Sequence, residues 1–482
     1  MSKKNIAKNY AYNLSYQILA IIIPLITTPY LSRVLGATNI GIYSYTLSIT
    51  TYFILFGSLG VAMYGQREIA YVQGNIKKRS KVFYEIFLMR CITLFVSLIL
   101  FYFTFCLNGE YSIYYKILML EIIANAIDIS WFFQGLEEFK KTVIRNMLVK
   151  IISVICIFTL VKDQSDLYIY FIIYVLSTFL GNLSLWLYLP KFINRVEYKK
   201  LNITKHIKPT LVLFIPQIAT QVYTVLDKTM IGTIVIDKAE VGYYEQAQKI
   251  VRILLTLATA LGTVMMPRIA ATFAIGNKKK IKEYMNKSFA FIMMLAFPLT
   301  LGIVSISGNF VPLFYGPGYD KVVPILCIMS PIIILVGLSN VTGTQYLLPT
   351  KQQNKYTLSV VVGAIVNFIL NLLLISSFKS IGATIASVIA ELAVTITQFI
   401  LLRKELSIFE VYKLSYKYII ASIIMFIISC FIDTIITNNI ISIVAQISVS
   451  AILYFGLLIL FKDNLMKEIL LRFKVLKTKN KV

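Results

Sequence analysis

The chain has 482 residues, of which 58% are hydrophobic and 14% charged, with a mean hydropathy of +0.77 and a formal net charge of +25. These fractions lie far from those of ordinary soluble domains, so the composition excludes a soluble globular protein and indicates an integral membrane protein. The five cysteines lie in apolar runs and never as a close pair, so neither a disulfide framework nor a zinc site is indicated.

Fourteen segments are long and apolar enough to cross a membrane, because a helix needs about 20 apolar residues to span a hydrocarbon core of about 30 Å. The first segment follows a basic, polar N-terminus and lacks a small-residue cleavage site, so we expect it to be retained. The predicted spans are residues 14–35, 40–63, 83–106, 114–133, 142–161, 167–189, 210–236, 249–273, 289–310, 322–342, 356–376, 381–402, 416–436 and 440–461. The predicted fold class is an all-α polytopic membrane protein with about 14 transmembrane helices.

Lysine and arginine are distributed unevenly between the loops. The N-terminus, the C-terminal tail and every second loop hold 33 of the 47 basic residues. The intervening loops hold only Lys162, Lys238, Lys321 and Lys379. This positive-inside asymmetry predicts that both termini are cytoplasmic. The net charge then reflects topology, and it predicts anionic membrane lipids as partners and no nucleic acid.

Two stretches of the sequence resemble each other and predict an internal duplication. The stretches from Ile40 and from Val241 share a Gly-x-Tyr start, a Leu-Gly pair, a later arginine and a Gly-Asn-basic sequence. This match equates the second predicted span with the eighth. Because the two are six spans apart, the halves have parallel orientation. Two such bundles with a cavity between them are typical of alternating-access transporters.

The duplication divides the chain into four predicted regions. Residues 1–189 form an N-terminal six-helix lobe, and residues 190–209 form a basic cytoplasmic linker. Residues 210–402 form the second six-helix lobe. Residues 403–482 add two helices and a basic cytoplasmic tail, which lie outside the repeat.

Two stretches carry a resemblance to a known family: PYLSRVLGATNIGIYSYTLSI from Pro29 and LDKTMIGTIVIDKAEVGYYEQAQKIVRILLTLATALGTVMMPRIA from Leu226. With the span layout, the chain resembles over nearly its whole length the oligosaccharide-lipid flippases, the polysaccharide-transporter branch of the multidrug, oligosaccharidyl-lipid and polysaccharide exporter superfamily. The resemblance implies translocation of an undecaprenyl-pyrophosphate-linked oligosaccharide repeat unit to the outer leaflet of the bacterial cytoplasmic membrane, for O-antigen or capsular polysaccharide. It also implies the polymerase and chain-length regulator of that pathway as partners.

Several ionisable residues fall within the predicted spans, where each costs roughly 2.5 to 3.5 kcal/mol on an insertion scale unless it faces a cavity or a partner. We single out ten of them, seven cations, with Arg145 among them, and three acids. Because arginine and lysine bind phosphate oxygens, this surplus predicts a cationic cavity for a pyrophosphate and its sugars. The predicted substrate-binding residues are Arg33, Arg90, Lys150, Lys228, Arg252 and Arg268. The predicted counter-ions or coupling residues are Asp128, Asp227 and Glu391.

A structural interpretation stays open for each of these charges. Several arginines lie within two turns of a span end, where a long side chain reaches the interface. Arg90 and Asp128 lie at similar depth on consecutive spans and could form a structural ion pair. Glu391 either carries a coupling proton or is hydrogen-bonded and inert. Proton or sodium coupling is therefore left open, and no other cofactor is predicted.

No catalytic constellation appears in the sequence. His206 is the sole histidine and lies in the linker, and no GxxxxGK phosphate loop is present. We therefore predict a transporter without a catalytic or metal site. Two alternatives remain. One is a multidrug and toxin extrusion-type cation-coupled antiporter, which usually has 12 spans and a more acidic cavity. The other is a membrane glycan polymerase or ligase, which needs larger outer loops than the predicted ones.

Overall fold

The computed structural model describes residues 3–406, 408–468 and 471, which form helices and no strand. The helices are α1 (Lys3–Ser58), α2 (Val61–Val72), α3 (Ile76–Phe101), α4 (Ser112–Ala126), α5 (Ser130–Gly135), α6 (Phe139–Leu160), α7 (Leu167–Trp186), α8 (Ile207–Ile234), α9 (Ala239–Thr259), α10 (Gly262–Ala274), α11 (Lys278–Tyr315), α12 (Val322–Met329), α13 (Ile332–Ser339), α14 (Gln353–Leu401), α15 (Ile408–Ile435) and α16 (Asn439–Leu460). Short π-helical segments follow α3 and α13. The predicted all-α class is confirmed.

Over the described residues, ten helical segments are long and apolar enough to cross a membrane, or eleven if one bent pair is a single span. Two of the ten contain 52 and 49 residues. At about 1.5 Å per residue, each is more than twice as long as a hydrocarbon core is thick. Each is broken by non-helical backbone, at Gly36 in α1 and at Lys379 in α14, so each has the length and the bend for two crossings. The multi-pass character is confirmed, and the number fourteen stays a prediction.

The helices form two compact units, Met1–Gly242 and Tyr243–Val482. In the first unit, α1 packs against α3, α4, α6 and α8, while α7 packs against α4 and α6. In the second unit, α11 packs against α13, α15 and α16, while α14 packs against α12 and α13. The boundaries of the four predicted regions stay a prediction.

The two duplicated stretches have the same local structure. In each, a helix breaks and restarts, at Leu59–Gly60 in the first and at Ala260–Leu261 in the second. In each, an asparagine then caps the next helix: the Oδ1 atoms of Asn75 and Asn277 each accept a hydrogen bond of 3.0 Å from the backbone nitrogen three residues later. The Gly-Asn-basic sequence is therefore the same helix start in both halves, which supports the predicted duplication.

The segment that precedes α8 is docked on the first unit. The guanidinium of Arg79 on α3 donates to the Phe192 carbonyl, with Nη2 at 2.6 Å from the oxygen. The backbone nitrogen of Asn194 donates to the Ser80 hydroxyl at 2.8 Å. These bonds hold residues 192–194 against the first turn of α3, although more than 110 residues separate the partners in sequence.

A buried carboxylate completes this docking. Glu85 on α3 is 0% exposed and accepts hydrogen bonds from the Asn202 backbone nitrogen at 2.8 Å, Lys205 Nζ at 2.6 Å and His206 Nε2 at 3.0 Å. His206 Nδ1 lies 2.6 Å from the Tyr64 hydroxyl. Burial lowers the pKa of His206, although its bond to Glu85 opposes that shift. A neutral imidazole fits both contacts, because Nε2–H donates to Glu85 and Nδ1 accepts from Tyr64.

Candidate functional site

A polar pocket of about 450 Å³ lies among three helices of the first unit, α4, α6 and α7. This volume is within the range of small-molecule sites. Glu121 and Asn125 line the pocket from α4, and Arg145 and Lys150 line it from α6. The residues that line it from α7 include Tyr170, Tyr174, Ser177, Thr178 and Asn182. Acidic, basic and hydroxyl groups therefore line one pocket between helices that are otherwise apolar.

Helical periodicity explains why these side chains converge. Tyr170, Tyr174, Thr178 and Asn182 recur every four residues, so they lie along one face of α7. On α6, an exposed apolar face occupies the other side of the helix, as expected for contact with lipid. Its residues are Ile144, Leu148, Ile151, Ile152 and Ile155.

Glu121 is buried in this pocket, with 5% of its surface exposed. Its Oε2 atom is buried without a hydrogen-bond partner among the described residues. A buried polar atom without a partner is costly, so such an atom in a folded protein is a candidate for a functional role. The carboxylate therefore has room for a ligand or a proton at Oε2.

Arg145 and Lys150 give the pocket its positive charge. Arg145 Nη1 donates to Asn182 Oδ1 at 2.6 Å, and Asn182 Nδ2 donates to the Ala124 carbonyl at 2.8 Å. These two bonds tie α6, α7 and α4 together around the pocket. Lys150 lies five residues beyond Arg145 on α6 and is half-buried. The arrangement can hold an anion at the two cations and a cation or proton at Glu121.

Asp128 lies at the edge of the pocket and pairs with Arg90, whose Nη2 is 3.8 Å from the Asp128 Oδ2 atom. Arg90 is 3% exposed. Asp128 lies within a candidate span, Ser112–Gly135, as predicted, but at the break between α4 and α5 rather than in continuous helix. Its carboxylate accepts hydrogen bonds from the Ser130 nitrogen at 2.9 Å and the Ser130 hydroxyl at 3.0 Å, a local turn that competes with continuous helix. The ion pair joins α3 to this turn.

The remaining predicted site residues lie outside the pocket. They are Arg33, Asp227 and Lys228 in the first unit and Arg252, Arg268 and Glu391 in the second. Arg33, Arg252 and Arg268 are exposed, as a side chain that reaches the interface would be. Asp227 is 4% exposed. The structure thus brings Lys150 and Asp128 into one pocket with Arg90 beside it, and the binding and coupling roles stay predictions.

The sequence analysis missed Glu121 and the network around Asn182. The available signal was the spacing of Glu121 and Asn125, two polar residues four apart in an apolar segment. Among the described residues, no group of three or more His, Cys, Asp or Glu could hold a metal ion.

Two family models match the chain. The polysaccharide biosynthesis protein family matches residues 6–273, and the lipid II flippase MurJ family matches residues 148–453. Each match covers more than half of the 482 residues. The chain belongs to the polysaccharide biosynthesis protein family.

The chain is also similar in sequence to individual transporters and flippases. The chain is 26% identical to the "Putative O-antigen transporter" of Escherichia coli (strain K12), over 82% of this chain and 96% of that protein. It is 31% identical to lipid II flippase MurJ of Bacillus subtilis (strain 168), over 33% of this chain and 29% of that protein.

Solved structures show the same fold. A lipid II flippase MurJ in an inward closed conformation matches with a TM-score of 0.76 at 17% identity, covering 94% of this chain and 99% of that chain. An inward-facing multidrug resistance transporter of the MATE family matches with a TM-score of 0.56 at 13% identity, over 82% of this chain and 99% of that chain.

Fold and family together define a multi-pass membrane transporter. More particularly, the chain is a transporter of the flippase type in polysaccharide biosynthesis. The prediction of a transporter rather than an enzyme is confirmed, and the glycan polymerase or ligase alternative is not supported.

Proposed function

We propose that this protein translocates an undecaprenyl-pyrophosphate-linked oligosaccharide repeat unit from the inner to the outer leaflet of the bacterial cytoplasmic membrane, for O-antigen or capsular polysaccharide. Membership in the polysaccharide biosynthesis family supports the substrate class. The observation that carries the proposal is the polar pocket of the first unit, where Arg145 and Lys150 meet Glu121 inside apolar helices.

The cations of the pocket supply the chemistry that a pyrophosphate requires. An arginine can fork onto two phosphate oxygens, and a lysine adds a point charge. Tyr170 and Tyr174 offer ring faces and hydroxyl groups to sugars on the neighbouring helix face. In this mechanism the polyprenyl tail stays in lipid, while the head group enters an inward-open site and leaves when the protein opens outward. Arg33, Arg90, Lys228, Arg252 and Arg268 remain proposed substrate-binding residues in this mechanism.

Glu121 is the residue we assign to coupling with a proton or sodium gradient. Asp128, a predicted coupling residue, already pairs with Arg90 and caps a turn. Glu121, which was not among the predicted coupling residues, leaves Oε2 without a partner in the described part of the chain. A neutral carboxyl group is easier to bury than a carboxylate, so proton binding and release at Glu121 would change the net charge beside Arg145 and Lys150. That change would alternately weaken and strengthen the binding of an anion. Asp227 and Glu391 remain the second-choice coupling groups.

The proposed setting is a multi-pass protein with both termini in the cytoplasm. The positive-inside asymmetry supports this orientation, and it places the basic loops beside anionic lipid headgroups. The polymerase and chain-length regulator of the same pathway are the proposed protein partners, because the translocated unit must next be polymerised.

Reconstitution tests the proposal directly. The protein is placed in liposomes that contain an undecaprenyl-pyrophosphate oligosaccharide with a labelled sugar, and exposure of the label in the opposite leaflet is measured against empty liposomes. We expect translocation by the native chain and a loss of roughly tenfold or more for Lys150→Gln, about 1.4 kcal/mol of transition-state stabilisation. Lys116→Gln is the matched control, because that lysine lies on α4 and does not line the pocket. No translocation above empty liposomes would refute the proposal.

One observation keeps the multidrug antiporter as a second candidate. Glu121 is a buried carboxylate that a lipophilic cation could neutralise, and the fold also matches a MATE family transporter. The same liposomes can be loaded with a fluorescent organic cation. Export of the cation without flipping of the lipid-linked sugar would favour the antiporter.

A further inference from the structure

A second pocket, of about 470 Å³, lies at one end of the second unit. It is lined by the last turn of α10, the start of α11, the segment before α14 and the residues that follow α14. One candidate span begins at Lys278, another ends at Leu347, and a third covers Gln353–Leu401. The pocket therefore lies where membrane-spanning helices end, at the level of lipid headgroups.

The polar wall of this pocket is positively charged. Lys278, Lys282 and Lys404 line it, against a single acid, Glu405. The Glu405 carboxylate accepts a hydrogen bond from the Tyr346 hydroxyl and lies 3.8 Å from the Nζ atom of Lys355, which is outside the lining. Three lysines thus line a cleft whose one acidic lining residue lies beside a further lysine.

The same pocket has an apolar wall. Ile281, Met285 and Leu406 are buried, with exposed fractions of 5%, 5% and 4%. Phe273 is 39% exposed at the rim. Free phosphate gains nothing from such a wall, whereas a phospholipid places its phosphate on the lysines and its first methylenes against the apolar side chains.

We propose that this pocket binds the headgroup of an anionic phospholipid, of the phosphatidylglycerol type. The phosphate contacts Lys278, Lys282 and Lys404, and the glycerol backbone lies against Phe273. Each lysine near an anionic headgroup contributes roughly a factor of five to binding. The site is independent of the translocated substrate, so it stands or falls separately from the proposed transport activity.

The test uses the full chain in nanodiscs of phosphatidylcholine with or without phosphatidylglycerol. Native mass spectrometry counts the retained phosphatidylglycerol molecules, and the thermal unfolding midpoint reports stabilisation by the lipid. The variant is K278Q/K282Q/K404Q. The control is K77Q/K78Q/K199Q, which removes three exposed lysines of the first unit and the same net charge. A further arm compares Phe273→Ser in phosphatidylglycerol and in detergent with inorganic phosphate.

We expect the native chain and the control to retain the lipid and to be stabilised by it. The pocket variant should bind it at least tenfold more weakly, and Phe273→Ser should weaken lipid binding without changing the response to phosphate. Equal retention in the pocket variant and the control would overturn the proposal. Equal stabilisation by inorganic phosphate and by phosphatidylglycerol would also overturn it, since the site would then take free phosphate.

Discussion

Glu85 and Glu121 are two buried glutamates of the same unit with opposite surroundings. Glu85 is 0% exposed and accepts hydrogen bonds from a backbone nitrogen, a lysine and a histidine. Glu121 is 5% exposed and leaves Oε2 without a partner among the described residues. Because a buried charge is tolerated when it is paired and hydrogen-bonded, the first carboxylate has the environment of a structural residue. The second carboxylate has the environment of a binding site, because a proton or a ligand can bind at its Oε2 atom.

The comparison gives a criterion for the other charges of the chain. A carboxylate whose acceptors are occupied contributes to stability, and its loss should destabilise the protein. A buried carboxylate that has an oxygen without a hydrogen-bond partner contributes to function, and its neutralisation should leave the fold intact. Substitutions of Glu85, Asp128 and Glu121 distinguish a structural from a functional carboxylate, and a substitution of His206 tests the surroundings of Glu85.

Glu85→Ala should have the largest effect. It leaves Lys205 and His206 without their buried acceptor and frees the segment before α8, so we expect a loss of about 3 to 5 kcal/mol in the free energy of unfolding. Chemical denaturation in micelles measures this loss. Glu283→Ala, whose exposed carboxylate lies 3.3 Å from Lys287, is the control and should change stability by less than about 0.5 kcal/mol. Equal effects of the two variants would contradict the structural role of Glu85.

Asp128→Asn should have the next largest effect. It leaves the Arg90 guanidinium buried beside a neutral amide, at an expected loss of about 1 to 3 kcal/mol in the free energy of unfolding. The double variant Arg90→Met with Asp128→Asn removes both charges and should be more stable than Asp128→Asn alone. A double variant that is less stable than either single one would show that the two side chains act independently.

Glu121→Gln should slow translocation by roughly tenfold or more, about 1.4 kcal/mol in the barrier, because an amide cannot bind and release a proton. The thermal unfolding midpoint should stay the same or rise, since the variant removes a buried charge. Glu110→Gln, in the exposed segment before α4, is the control. A variant that translocates normally but unfolds at lower temperature would mean that Glu121 is structural.

His206→Gln should have the smallest effect, and it should appear only in the pH dependence of stability. Burial lowers the pKa of His206 in the folded chain, so the unfolded chain binds the proton more readily. Stability should therefore be fully present above about pH 6.5 and fall as the pH is lowered below that value. Glutamine at this position cannot titrate. Thermal midpoints from pH 7.5 to 5.5 should decrease more in the native chain than in the variant, and identical slopes would contradict the assignment.

Local sequence pattern predicted what depends on hydropathy and spacing. The apolar runs predicted α6 and α7 to within a few residues, whereas α3 begins at Ile76, ahead of the predicted start at residue 83. The Gly-Asn pairs marked equivalent helix starts at Asn75 and Asn277. The proposed pairing of Arg90 with Asp128 is also present. Each of these features depends on the pattern within one segment or on two consecutive predicted spans.

Contacts between distant segments were not predictable in this way. Glu85 finds its partners 117 and 121 residues later, in a segment that the sequence presents only as a basic linker. The set of seven cations and three acids did not include Glu121. The sequence shows a single acid in an apolar helix, but it does not show which residues of α6 and α7 line the same pocket. The break that moves Asp128 out of its helix depends on its own hydrogen bonds to Ser130.

The most direct test of the central claim is the dependence of flipping on an imposed pH gradient, measured in liposomes with the native chain and with Glu121→Gln. If Glu121 couples transport to protons, the gradient accelerates the native chain and leaves the variant unchanged. A variant that keeps the full acceleration would contradict the role of Glu121 and the distinction between the two buried glutamates.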